Sequence, residues 1–300
     1  MVKQFYLYCF IVLSFFPALN CFPQSPDSSA KVVFSGYVDA YYAFYTDSMG
    51  INNYQQFPTI DPLSKTFGLN TAMISAQYDA EKIRGIITLH YGDIAKSAWS
   101  PYFNNMMEAH AGVRLLKMLW LDAGFFRTHN STEGLLPKEN ISSSISINTY
   151  YEPYYESGLR LNYIASDKLF VNLYVLNGYN MFTDNNEKKS FGLLSIYTLR
   201  ENCNIGYSNY AGDDSPQGDS ISHLRIHQNL FFNYQYRKVK IQIGGDYCMQ
   251  ENSKLSDNTK SASMYSGVLS LKFQADEKSA LYARGEIFND AEGFMSGIVI

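Results

Sequence analysis

From residue 31 onward the chain repeats one pattern: short segments with apolar side chains on one parity and polar side chains on the other. Ile83 to Tyr91 carries it plainly, with Ile83, Gly85, Ile87, Leu89 and Tyr91 on one face and Arg84, Ile86, Thr88 and His90 on the other. In Val239 to Gln250, Ile241, Ile243, Tyr247 and Met249 alternate with Gln242, Asp246 and Gln250. A period of two belongs to strands whose two faces meet different surroundings. The pattern predicts about thirteen strands, at 32–45, 67–79, 83–91, 106–116, 119–126, 154–164, 169–178, 189–198, 202–211, 223–236, 239–250, 262–273 and 279–288. The second changes phase near Ala72 and Met73, as a bulge would cause.

The connections sort by length. Tight turns near Asp79 to Lys82, Lys117 to Met118, Ala165 to Lys168, Leu199 to Glu201, Arg237 to Lys238 and Ala275 to Lys278 alternate with longer polar stretches at 46–66, 92–105, 127–153, 179–188, 212–222, 251–261 and 289–294. Tight turns at one end and long loops at the other are the sidedness of a membrane barrel. Charged residues are 17% of the chain, against roughly 25% in soluble proteins, so something other than water covers much of this surface. An open sheet in lipid would leave its edge amides and carbonyls without partners, which favours a closed barrel. The expected fold is therefore all-β, a transmembrane antiparallel β-barrel. Aromatics near strand ends, Tyr41, Tyr42, Phe44, Tyr45, Phe125 and Phe126, are candidates for its interfacial girdles.

Lys3 precedes an apolar run from Phe5 to Leu19 that is too short to span a bilayer, and a polar stretch from Pro23 to Ser29 follows. The expected organisation is a signal peptide at 1–22, cleaved somewhere between Ala18 and Gln24, a polar segment at 23–31 and a barrel at 32–300. Asn20 before Cys21 argues against a lipoprotein, because small residues are expected there. No other segment approaches the roughly 20 apolar residues of a membrane helix. Cys203 and Cys248 fall on opposite faces of the predicted wall and are expected to stay unpaired. The net charge of -4 offers no basic field for a nucleic acid.

The segments FSGYVDAYYAFY, FGLNTAMISAQYD, LWLDAGFF, PYYESGLRLNY and LFVNLYVLNGYN give the chain, from about Phe34 to Asp290, a likeness to a known family. It resembles the OmpL-like β-barrel porins, also called β-barrel porin-2. That resemblance implies a bacterial outer-membrane location and a pore-like activity, and it supplies no catalytic residues. The chain departs from the family by stopping at Ile300, inside what reads as the start of a strand at Phe294 to Ile300. Bacterial barrels have even strand numbers, so a longer protein with about three more strands, near sixteen in all, is expected.

No P-loop, dinucleotide fingerprint, zinc-ligand pair or nucleophile elbow occurs, and no enzyme activity or cofactor is expected. The expected function is a channel for passive passage of small hydrophilic solutes through outer-membrane lipid. The alternative is a non-conducting structural or binding protein, for instance within an uptake assembly. The polar parity nominates Asp39, Arg84, His90, Glu108, His110, Arg114, Asp122, Glu156, Arg160, Arg225, Asp246, Lys272, Arg284 and Glu286 as pore-lining. His90, His110 and Glu108 flank one loop and could meet, although a hydrated wall tolerates any polar residue. His223 and His227 lie four residues apart on one strand, about 13 Å, too far to share an ion. The connection 127–153 is the longest, and its Ile141, Ile145, Ile147, Tyr150, Tyr151 and Tyr154 supply apolar surface for packing into the barrel mouth. It carries the candidate constriction residues Glu133, Lys138 and Glu139.

Overall fold

The computed structural model describes residues 30–46, 50, 53–55 and 59–297. It contains one antiparallel sheet of thirteen strands in chain order. They are β1 (Lys31–Tyr42), β2 (Phe67–Asp79), β3 (Ile83–Tyr91), β4 (Met106–Leu116), β5 (Leu119–Arg127), β6 (Tyr155–Ile164), β7 (Leu169–Leu176), β8 (Ser190–Arg200), β9 (Cys203–Asp213), β10 (Leu224–Tyr236), β11 (Val239–Gln250), β12 (Ala262–Gln274) and β13 (Ala280–Asn289). Among the described residues two one-turn α-helices, α1 (Asp93–Ser97) and α2 (Ile147–Tyr151), and one 3-10 turn, Pro137–Glu139, interrupt the loops. Among the described residues no helix is long and apolar enough to cross a membrane.

Every neighbouring pair is a hairpin, so local sequence order sets the topology. The parity read from the sequence is the parity of burial. Ile87, Leu89 and Ile243 are exposed on one face, while Thr88, His90, Gln242 and Asp246 are buried on the other. This inverts the arrangement of a soluble protein, where large apolar side chains leave water first. A sheet that exposes its aliphatic face and buries its polar one wraps a polar interior and presents the outside to hydrocarbon. Arginine at Ile243, whose strand neighbours are Phe232 and Leu269, should cost about 2 to 4 kcal/mol if the site lies near the bilayer midplane. Asn233→Arg, on the inward parity, should cost far less; equal costs in denaturant unfolding would mean that the faces are misassigned.

The expected bulge in β2 is present but displaced. The register steps from Asp39 opposite Thr71 to Ala40 opposite Leu69, leaving Asn70 as the extra residue. Its buried side-chain amide donates to Asp39 at 2.9 Å and to Asp61 at 2.6 Å, a polar anchorage that fixes the bulge there instead of at Ala72 and Met73. β1 ends at Tyr42, three residues earlier than expected, and Phe294 to Gly297 form a turn. In that turn the Asp290 carboxylate accepts from the amides of Met295 and Ser296, holding the backbone out of strand geometry. The girdle assignment fails for Tyr41, whose hydroxyl donates to Asp93, and for Phe126, which is buried inside. Tyr42 and Phe44 are exposed. Cys203 and Cys248 are both free. The leader at 1–22, including Cys9 and Cys21, and the last three residues lie outside the described residues.

Candidate functional site

The connection 128–154 is the element around which the sheet is wrapped. Lys138 stands over the Tyr37 ring of β1 at 4.6 Å, whereas Arg284 of β13, at the opposite end of the sheet, donates to Glu133 at 2.7 Å. Between them, Asn130 accepts from Ser208 of β9 at 2.7 Å, Thr132 accepts from Asn229 of β10 at 2.9 Å, and Gln242 of β11 donates to the Thr132 carbonyl at 2.8 Å. One loop therefore touches the inward faces of strands from both ends of the sheet. Two glycines make room for it. A β-carbon on Gly192 would sit 2.5 Å from His129 Nε2, and one on Gly244 would sit 2.1 Å from Thr132 Oγ1.

Its root is a buried charge pair. His129 Nδ1 lies 2.8 Å from one oxygen of Glu156 and 2.9 Å from the other, and Nε2 lies 2.7 Å from the Asn209 carbonyl oxygen. Both ring nitrogens face acceptors, a pattern that only a doubly protonated imidazolium satisfies. The ring also stacks on Tyr174 at 4.2 Å. At the far end Ser146 caps α2, and the Ser146 and Ile147 amides donate to Glu133 and Glu286 at 2.7 and 2.8 Å. Arg127 pairs with Glu139, and a cavity of about 290 Å³ lies between them and the wall, lined in part by His129, Glu133 and Phe231.

The other nominated residues fall into separate groups. Asp122, fully buried, accepts from Arg84 at 2.6 and 2.8 Å and from Arg160 at 3.1 Å, while Arg84 and Arg114 both lie over the Trp120 ring. Arg225 donates to Gln250 and covers Tyr179, and Lys272 lies over Tyr282. Asp39 is held by Asn70. The structure does not bring His90 and His110 together. His110 stands opposite Ile86, four residues along β3 from His90, and pairs loosely with Glu108 at 3.7 Å. His90 instead packs edge-on against Trp99.

One constellation was not legible in the sequence. Glu152, just after α2, His227 on β10 and Asp246 on β11 are all buried and offer ligand-type atoms within 4.8 Å of one another. His227 Nε2 lies 3.2 Å from Asp246 and 4.0 Å from Glu152. The Tyr179 hydroxyl meets His227 Nδ1 at 3.0 Å. Amides of Asn229 and Asn148 donate to Asp246 and Glu152, each at 2.7 Å. Burial first, and then the Asp246 carboxylate, raise the Glu152 carboxyl well above the usual carboxylate range. The inward parity of β10 could have flagged His227. Nothing in the sequence tied it to a loop residue 75 positions away.

A family model described as β-barrel porin-2, OmpL-like, matches residues 31–300. No curated protein matches the chain in sequence. Among solved structures, the outer membrane channel DcaP of Acinetobacter baumannii is similar, with a TM-score of 0.59 at 11% identity over 89% of this chain and 82% of that one. A loop-deletion mutant of OmpT, an outer membrane protein of Vibrio cholerae, gives a TM-score of 0.45 at 12% identity, covering 87% and 94% of the two chains. OprD, an outer membrane protein of Pseudomonas aeruginosa, gives 0.31 at 10% identity over 88% and 89%.

Proposed function

The chain belongs to the OmpL-like β-barrel porin-2 family of the bacterial outer membrane, and from that premise we propose that it forms a channel for passive passage of small hydrophilic solutes, narrowed by the connection 128–154. The observation that carries the reading is the loop's position: it meets β1 on one side and β9 to β13 on the other, on the face where polar side chains are buried. A loop held across a polar interior sets the width of any path through it. Lys138, Glu133 and Glu139 then stand at the narrow zone, with Asp122, Arg84 and Arg160 further along the same wall.

The charges of this wall largely cancel. Six acids, Asp39, Glu108, Asp122, Glu156, Asp246 and Glu286, face six bases, Arg84, Arg114, Arg160, Arg225, Lys272 and Arg284. Several are paired with one another, as Asp122 is with Arg84 and Arg160. Strong selectivity needs a ring of one sign, and screening over about 8 Å at physiological salt confines each charge to its neighbourhood. The full-length purified protein in a planar bilayer should therefore conduct, with a reversal potential near zero across a salt gradient. Stable insertion without conductance would replace the channel by a plugged, binding or structural barrel. Conductance with a near-ideal reversal potential would overturn only the balance of charges.

A further inference from the structure

We propose that Glu152, His227 and Asp246 form a binding site for one divalent transition-metal ion of the Zn²⁺ type, which ties the loop to the barrel wall. The inference goes beyond the channel reading and does not rest on it. Its first support is geometry. An ion bound by imidazole nitrogen and carboxylate oxygen at about 2.0 to 2.2 Å spaces its ligand atoms roughly 3 to 3.6 Å apart. His227 Nε2 and Asp246 Oδ1 already stand at 3.2 Å, and the 4.0 Å to Glu152 closes with a small movement of one side chain.

The second support is a polar atom left over. Glu152 Oε2 is buried with no hydrogen-bond partner, in a side chain only 1% exposed. The Ser131 hydroxyl, which donates to the Glu133 carbonyl oxygen, and the Asp246 carboxyl are the polar groups beside it. Among the described residues neither Glu152 nor Asp246 has an ion pair with lysine or arginine, their one cationic candidate being His227. Two carboxyl groups buried together repel unless a proton or a cation comes between them. A divalent ion would neutralise both carboxylates and take up the free oxygen.

The surroundings fit ligation. Tyr179 can accept from His227 Nδ1–H, the bond that leaves Nε2 free for a metal. The Asn229 and Asn148 amides and the Ser266 hydroxyl orient the carboxylates. One imidazole with two carboxylates suits a first-row transition ion better than Ca²⁺ or Mg²⁺, which take oxygen ligands.

The test uses the full-length protein folded in detergent, stripped with EDTA and titrated with ZnCl₂ by calorimetry. The count of ions is checked by elemental analysis after gel filtration, and folding by heat-modifiable gel migration. Wild type should take up one ion per chain, and E152Q and D246N should lose that ion or bind it at least about 100-fold more weakly while still folding, because the amides mimic protonated carboxyls. X-ray absorption of the zinc form should report a single imidazole ligand. Absence of stoichiometric uptake by wild type would leave a shared proton as the cation and overturn the site. Equal uptake by wild type and E152Q would place the ion elsewhere and overturn it as well.

Discussion

Alanine at His129 is expected to destabilise the folded barrel by about 3 to 5 kcal/mol, the cost typical of breaking a buried ion pair by removing one partner. The imidazolium is fully buried and meets Glu156 and the Asn209 carbonyl at the two ends of its ring. Its loss strands the Glu156 carboxylate, itself buried, with the Thr128 hydroxyl at 3.3 Å as its remaining donor. Removing both charges together, as H129L with E156L, should recover most of the loss, since an apolar pair of similar volume carries no desolvation penalty. Urea unfolding of the three proteins refolded in detergent decides it: a cost below about 1 kcal/mol for the alanine variant would show that water reaches Glu156 and that the pair does not anchor the loop.

The same pair gives stability a pH dependence with a definite sign. Burial alone would lower the His129 pKa, but the Glu156 carboxylate and the Asn209 carbonyl outweigh it, and the net direction is upward from 6.5. A group whose folded value is raised stabilises fully below its unfolded value, and that contribution disappears as pH rises through the folded value. Wild type should therefore lose stability on the alkaline side of about pH 6.5, and the alanine variant should lack that component.

The wall of this protein was readable because each strand is a local object. β2, β3, β4 and β11 begin and end where the alternation does, since a half-lipid, half-polar environment imposes a period of two on every residue. The errors lie where a polar side chain reaches out of the ladder: Asn70 pinning the bulge to Asp39 and Asp61, and Asp290 holding the terminal turn. Interior chemistry was less legible, because its partners are far apart in sequence. Arg284 meets Glu133 across 151 residues, and Gln242 meets Thr132 across 110. Parity nominated Glu156 and Asp246 as lining the interior. It could not indicate that a loop would cover them and bring His129 and Glu152 to them.

Deleting residues 134–145 should raise single-channel conductance several-fold, the largest functional change expected from any single alteration. The excised stretch contains Lys138, which reaches Tyr37 and Met73 at the β1 and β2 side, and Glu139, which holds Arg127. It leaves the His129 root and the Glu152 end in place. The cut ends are already adjacent, because the Ser146 amide donates to the Glu133 carboxylate at 2.7 Å, so a short glycine linker can close the gap without strain on the wall. With the span from β1 removed, the interior widens on that side while the polar lining remains hydrated. Gly244→Val tests the same geometry without a deletion: its side chain occupies the notch taken by Thr132 and should lift the loop from β11, shifting conductance in the same direction by less. Recordings from both variants in planar bilayers under one salt condition give the comparison. Unchanged conductance in the deletion would mean that the narrowest part of the path lies away from this loop, with the paired Arg84, Asp122 and Arg160 on the wall as the next candidates.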